Sequence, residues 1–137
     1  MAMTTTQFYE REISIPAEPA RLAEARSFAT SAAAEMGFDE REQYLITTAA
    51  NEAVSNAVEH GSASAADTVR LRVTVEGNDF ALYVFDLGED FRRKEGPVDQ
   101  AAERGRGLSF MDRLMDRVDV KPGSEGTVIR LSKKLAA

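Results

Sequence analysis

Residues 69–85 constrain the fold more than any other stretch of this chain. Val69, Leu71, Val73 and Val75 alternate strictly with Arg70, Arg72, Thr74 and Glu76. That period of two marks a strand with one buried face and one wet face. Gly77-Asn78 follows, a pair suited to a two-residue hairpin turn. The returning run, Phe80 to Phe85, is apolar on both faces and predicts a central strand. The chain is thereby committed to a sheet that is at least partly antiparallel, with one face in need of cover.

The cover is written upstream. Leu22, Ala25, Ala29, Ala32 and Met36 recur at spacings of three and four, with Pro19 near the start and Gly37 placed as a C-cap. Asp39 is suited to cap a second helix that runs to about Gly61. Ahead of both, Tyr9, Ile13 and Ile15 alternate with polar residues in a first strand ending at Pro16. After Gly107 a third helix is predicted, with Leu108, Met111, Leu114, Met115 and Val118 on one face. A last hairpin is expected to turn at Pro122-Gly123 and return through Thr127 to Leu131. Strands with helices segregated to one face make an α/β two-layer sandwich on a mixed, largely antiparallel sheet.

Bulk properties narrow the function. A chain of 137 residues without repeat or linker is read as a single domain, 1–137. With no cysteine and one histidine, His60, disulfides, thiolate catalysis, cysteine-zinc and multi-histidine metal sites are excluded. No stretch approaches the ~18 apolar residues of a membrane span, and Met1-Ala2-Met3-Thr4-Thr5-Thr6 does not read as a secretory signal. A cytoplasmic setting is expected. The net charge is −6; residues 1–60 hold four Lys/Arg against ten Asp/Glu, and residues 61–137 hold thirteen of each. This balance speaks against direct nucleic-acid binding, which needs a positive surface to displace phosphate counterions, and leaves an acidic face that could dock a basic protein.

Three short motifs carry chemistry. In Asn51-Glu52-Ala53-Val54-Ser55-Asn56-Ala57-Val58-Glu59-His60-Gly61, Glu52, Asn56 and His60 share a helical stripe beside the apolar flank of Ile46, Ala49 and Ala53. Partial burial would make a carboxylate there more basic, and an amide oxygen is a hard ligand fit for Mg²⁺. The apolar strand ends in Asp86-Leu87-Gly88, an acid and a glycine where backbone can approach a ligand closely. Gly105-Arg106-Gly107-Leu108-Ser109 opens the third helix, where free N–H groups and the helix dipole favour an anion. Taken singly, each has a bland explanation: a solvated helix face, an Asp-x-Gly turn, a flexible loop.

Their order is more specific. Helical Glu-x₃-Asn, Asp-x-Gly at a strand end, Gly-x-Gly-Leu before a helix and Gly126-Thr127 in the last strand together resemble the ATP-binding motifs of the GHKL, or Bergerat-fold, superfamily, which includes gyrase and the histidine kinases. The compact length and the text around Glu52–His60 look most like the anti-sigma factor serine kinases. The resemblance runs from about Phe8 to Leu131. It departs at Asp90, where much of the superfamily has a third glycine, and in the shortness of the segment 88–104, which is glycine- and charge-rich and reads as a lid.

The resemblance implies ATP and Mg²⁺ as cofactors. It implies that Asn56 ligates the metal, that Glu52 is the general base, and that Asp86, with Gly88 beside it, reads the adenine amino group. Gly105, Gly107 and Leu108 match the second glycine box, and Thr127 the threonine near the base. His60 matches a histidine common in these kinases, for which a structural hydrogen bond is expected. Arg92, Arg93, Lys94, Arg104 and Arg106 lie in or beside the lid, where some could reach phosphates and others could be solvated lid charges. The implied partners are a sigma factor and an anti-anti-sigma (STAS-type) protein phosphorylated on Ser or Thr, with a possible homodimer and no membrane. The alternative is an interaction module that binds nucleotide without phosphotransfer. The chain shows neither Gly-x₄-Gly-Lys-Ser/Thr nor His-Arg-Asp, so P-loop and ordinary protein-kinase chemistry lack support.

Overall fold

A computed structural model describes residues 9–61, 68–86, 110–123 and 126–135, the side chains of residues 60, 61, 122 and 123 apart. Strand β1 is Glu10–Pro16, and a 3₁₀ turn at Pro19–Arg21 leads into helix α1, Leu22–Glu35. Helix α2, Glu40–Asn56, continues directly into a π-helical turn at Ala57–Gly61. Strands β2, Thr68–Glu76, and β3, Asp79–Asp86, form the expected hairpin. Residues 110–114, here α3, are helical, and β4, Arg117–Gly123, and β5, Gly126–Lys134, close the chain. The sheet order is β1-β2-β3-β5-β4.

Every pairing among these strands is antiparallel. The reason is parity of the connections. Between β1 and β2 the chain makes two helical passes, so it re-enters the sheet at the end it left. Central strand β3 pairs with both β2 and β5, which satisfies its backbone on both edges.

Local chemistry sets the element ends. The Asp39 side chain accepts from the Glu42 N–H at 2.8 Å and so caps α2. Helix α1 ends in a Schellman closure, with Phe38 N–H donating to the Ala33 carbonyl and Gly37 N–H to that of Ala34. Gly37 stands at φ 91°, where a Cβ would be strained. At the β2–β3 turn Gly77 has φ 65° while Asn78 keeps a negative φ, the sign pattern of a type II′ turn.

One cluster of buried side chains joins the helices to the sheet. Ala25, Ala29, Ala32 and Ala33 of α1 and Ile46, Ala49, Ala50, Ala53 and Val54 of α2 meet Val69, Leu71, Val73, Phe80, Leu82 and Val84. Alanine dominates the helix–helix seam, so the two helices can pack closely. The opposite sheet face has no helix among the described residues and is polar. There Arg70 pairs with Glu12 at 3.1 Å and lies over the Phe85 ring, while Arg130 pairs with Glu76 at 2.8 Å.

Two expectations are corrected. Val118 belongs to β4, not to the third helix: the chain leaves α3 where the Asp116 N–H donates to the Ser132 carbonyl, and Val118 pairs with Leu131. Pro122-Gly123 are not the last turn either. They remain in β4, opposite Thr127 and Gly126.

Candidate functional site

Chain direction gathers the candidate residues at one end of the sandwich. Strand β3 ends there with Asp86, β5 begins there with Gly126-Thr127, and α2 arrives there with Asn56. Asp86 and Thr127 are direct register partners on adjacent strands. Both lie on the helix-covered face, in step with Val84 and Ile129, and they are only 5% and 6% exposed.

The Thr127 Oγ1 is buried and has no hydrogen-bond partner in the structure. An orphaned hydroxyl in such a place costs roughly 1–3 kcal/mol. A bound polar group would remove that cost. A hydroxyl can donate and accept, and a carboxylate beside it accepts. Together they offer a donor and acceptors of the kind that the polar edge of a planar base requires.

On α2, Glu52 and Asn56 are half-buried, one turn apart, on the flank of fully buried Ile46, Ala49 and Ala53. The π turn that follows Asn56 lies against β3. Its wider winding interrupts the helical stripe, so the step from Glu52 to Asn56 holds while that from Asn56 to His60 does not. His60 belongs to the π turn, and its side chain lies outside the described residues. Beside the stripe, the Arg26 guanidinium donates to the Asn51 Oδ1 at 3.0 Å and Thr30 shares a hydrogen bond with Thr47. These contacts fix α2 against α1.

Gly88, Gly105, Gly107 and Leu108 lie outside the described residues, as do Arg92, Arg93, Lys94, Arg104 and Arg106. Of the sequence-predicted site, the structure therefore brings Asp86 and Thr127 together directly. It sets Asn56, with Glu52 one turn below, at the same end. Thr127, Ile129, Leu131 and Lys133 alternate onto the covered face, and at the far end from Thr127 the Lys133 ammonium donates to the Leu114 carbonyl at 3.1 Å. Among the described residues, no helix is long and apolar enough to cross a membrane.

Comparison with known proteins gives concordant results. Residues 15–133 match the family described as the histidine kinase-like ATPase domain. The serine-protein kinase RsbW of Bacillus pumilus is 34% identical over 138 residues, covering 90% of this chain and 85% of that protein. The anti-sigma F factor of Pasteuria penetrans is 37% identical over 103 residues, covering 67% of this chain and 68% of the other. Among solved structures, the RsbU and RsbW domains of Rv1364c from Mycobacterium tuberculosis superpose with a TM-score of 0.73 at 23% identity. That match covers 94% of this chain and 33% of the longer one, and it bears on the fold.

Proposed function

Because the chain belongs to the histidine kinase-like ATPase domain family, we propose that it is an ATP-dependent anti-sigma regulatory factor. It would bind a sigma factor and phosphorylate an anti-anti-sigma partner of the STAS type on Ser or Thr. The observation that carries the nucleotide part is the buried Asp86–Thr127 pair with its orphaned Thr127 hydroxyl. The kinase and sigma-factor parts draw on the relatives named as serine-protein kinases and anti-sigma factors.

Each residue has a task in this reading. Asp86 accepts from the exocyclic amine of adenine, and Thr127 completes the polar edge beside it. Asn56 would hold Mg²⁺ through its amide oxygen. Gly88, Gly105, Gly107 and Leu108, outside the described residues, would by the resemblance supply backbone N–H groups around the base and phosphates. Bound Mg-ATP supplies the phosphoryl group and, as ADP, the leaving group. Glu52, half-buried and one turn from Asn56, takes the proton released by the partner's hydroxyl. In this reading residues 1–137 act as one domain in the cytoplasm, and the resemblance also allows a homodimer.

Thermal unfolding with Mg-ATP, Mg-ADP and no nucleotide tests the site. Saturation at ~100 times Kd adds about 2.7 kcal/mol, and Asn56→Ala shrinks that gain. No shift in the parent protein refutes nucleotide binding. Transfer of labelled phosphate to a STAS-type partner then tests the kinase: Glu52→Ala keeps ATP binding and loses transfer. Transfer absent from the parent protein would leave a nucleotide-binding interaction module.

A further inference from the structure

We propose that Arg70 is a positioning residue, which holds the end of β3 through the Phe85 ring and so sets the place of Asp86. In the nucleotide reading above, on which this role rests, Asp86 accepts from the base. Asp86 is the last residue of β3, and its partners across the sheet are Val69 of β2 and Thr127 of β5. This end of the sheet is a rim: β1 stops there at Pro16, β2 starts at Thr68 and β5 at Gly126. Strand ends open more readily than strand centres, so a carboxylate at a rim depends on the pair of residues behind it.

That pair is Arg70 and Phe85, direct register partners on the uncovered face. A phenyl ring on a face turned to water needs cover, and two guanidinium groups provide it. The Arg70 Cζ stands 4.4 Å from the ring centre and that of Arg72 stands 5.5 Å from it. Tyr83 adds support from within the strand, with ring centres 6.0 Å apart and planes 14° from parallel. Both arginines also reach Glu12 of β1, Arg70 at 3.1 Å and Arg72 at 3.8 Å. Arg70 is the closer of the two to the ring, to Glu12 and to the rim. One guanidinium thus ties β1, β2 and β3 together a single residue short of Asp86.

Successive residues of a strand point to opposite faces. A hold on Phe85 from the uncovered side therefore fixes the backbone from which Asp86 projects on the covered side. Recognition by a carboxylate depends on angle as well as distance. An amine donates to it, whereas a carbonyl in the same place does not. A loosened end of β3 loses the preference for an amine-bearing edge before it loses the ligand altogether.

The test uses the full chain as parent, Arg70→Gln, Arg70→Lys, Phe85→Leu and the double variant of Arg70→Gln with Phe85→Leu. The Arg70 side chain is 35% exposed, so its replacement leaves the core untouched. Glutamine removes the cation and lysine keeps it. Hydrogen exchange without nucleotide reads the clamp, and calorimetric titration with ADP and with GDP reads its consequence. In Arg70→Gln the amides of residues 84–86 are expected to exchange about threefold faster, the size of one exposed cation–π contact, while those of residues 80–82 hold. The ratio of ADP to GDP affinity falls by about the same factor, and Arg70→Lys recovers both. Phe85→Leu reproduces the loss, and the double variant loses no more than either single one. Unaltered protection of residues 84–86 in Arg70→Gln overturns the clamp. Faster exchange with an unaltered ADP-to-GDP ratio overturns the positioning role and leaves a structural one. Losses that multiply in the double variant overturn the route through Phe85. A parent protein that binds neither nucleotide, or both equally, refutes the reading of Asp86 and this role with it, whereas a parent that prefers ADP while Arg70→Gln keeps that preference refutes this role only.

Discussion

Replacing Thr127 by valine separates the stability of the empty protein from its affinity for nucleotide. The two side chains are close in shape, and both are β-branched, so β5 keeps its backbone preference. The Thr127 hydroxyl is buried without a partner, at a residue 6% exposed. Its removal relieves a desolvation cost of roughly 1–3 kcal/mol, from which the small loss of fit is subtracted. The net expectation for Thr127→Val is a nucleotide-free protein more stable by about 1 kcal/mol, or about 4 °C in Tm for a chain of this size. With ATP the order of effects reverses. Loss of one hydrogen bond to the base lowers affinity about tenfold, so the stabilisation at a concentration ~100 times the parent Kd falls from about 2.7 to about 1.4 kcal/mol. Urea unfolding and calorimetric titration measure the two quantities independently. A variant less stable than its parent without nucleotide would show that the hydroxyl is already bonded. An unchanged nucleotide increment would show that Thr127 does not touch the base.

Three further outcomes follow from the scaffold. Asp39→Ala removes the cap of α2 and is expected to cost about 1 kcal/mol in urea unfolding, with Asp39→Asn recovering most of it. Gly37→Ala has open space around its Cβ but forces alanine to φ 91°, so it destabilises by about 1 kcal/mol through backbone strain and not through a clash. Burial pushes the Glu76 carboxyl up, but hydrogen bonds from Tyr83, Arg130 and Thr74 outweigh it and hold the carboxyl below its usual range. A depressed carboxylate stabilises the fold fully above its unfolded value of about 4.3, and that contribution is lost as pH falls through the folded value. Glu76→Gln should therefore be less stable than the parent at neutral pH and approach it in acid, as followed by the urea midpoint against pH.

Elements with a clean period were legible from the sequence. The alternation in Val69–Glu76 and the Gly77-Asn78 pair were enough to place β2 and its turn, because each residue's burial follows from the pleat alone. The spacing of Ala25, Ala29 and Ala32 worked in the same way for α1. The boundary after Met115 was not legible by the same means. Val118 sits at helical spacing from Leu114 and also at strand spacing from Val120, and a short apolar pattern satisfies both periods. The backbone contact between Asp116 and Ser132 decides it, and that contact joins residues far apart in sequence. The π turn was hidden for a similar reason, since one altered step in winding leaves the residue order untouched. At the site, Asp86 and Thr127 could each be named, but their adjacency depends on the β3–β5 register. The Lys133 contact with the Leu114 carbonyl was hidden too, because a lysine reads as a solvated charge until its position on the strand is known.

The two faces of the sheet argue that a ligand completes the covered one. On the uncovered face the charges are matched in place: Arg70 with Glu12, Arg72 with Glu10 and Glu12, Arg130 with Glu76 and Asp119. The Nε atoms of Arg70 and Arg72 lack a hydrogen bond of good angle, yet each lies within ion-pair distance of a carboxylate. That face needs nothing further to be stable in water. The covered face is apolar through Ile15, Leu71, Leu82, Val84 and Leu131, and its polarity is concentrated at the ends of β3 and β5. At the Lys133 end the polar group has found its partner. At the Thr127 end the hydroxyl has found none. If the fold were tuned for the empty protein, valine would serve better at residue 127. A threonine there makes physical sense for a chain whose working state has a polar base seated against β3 and β5.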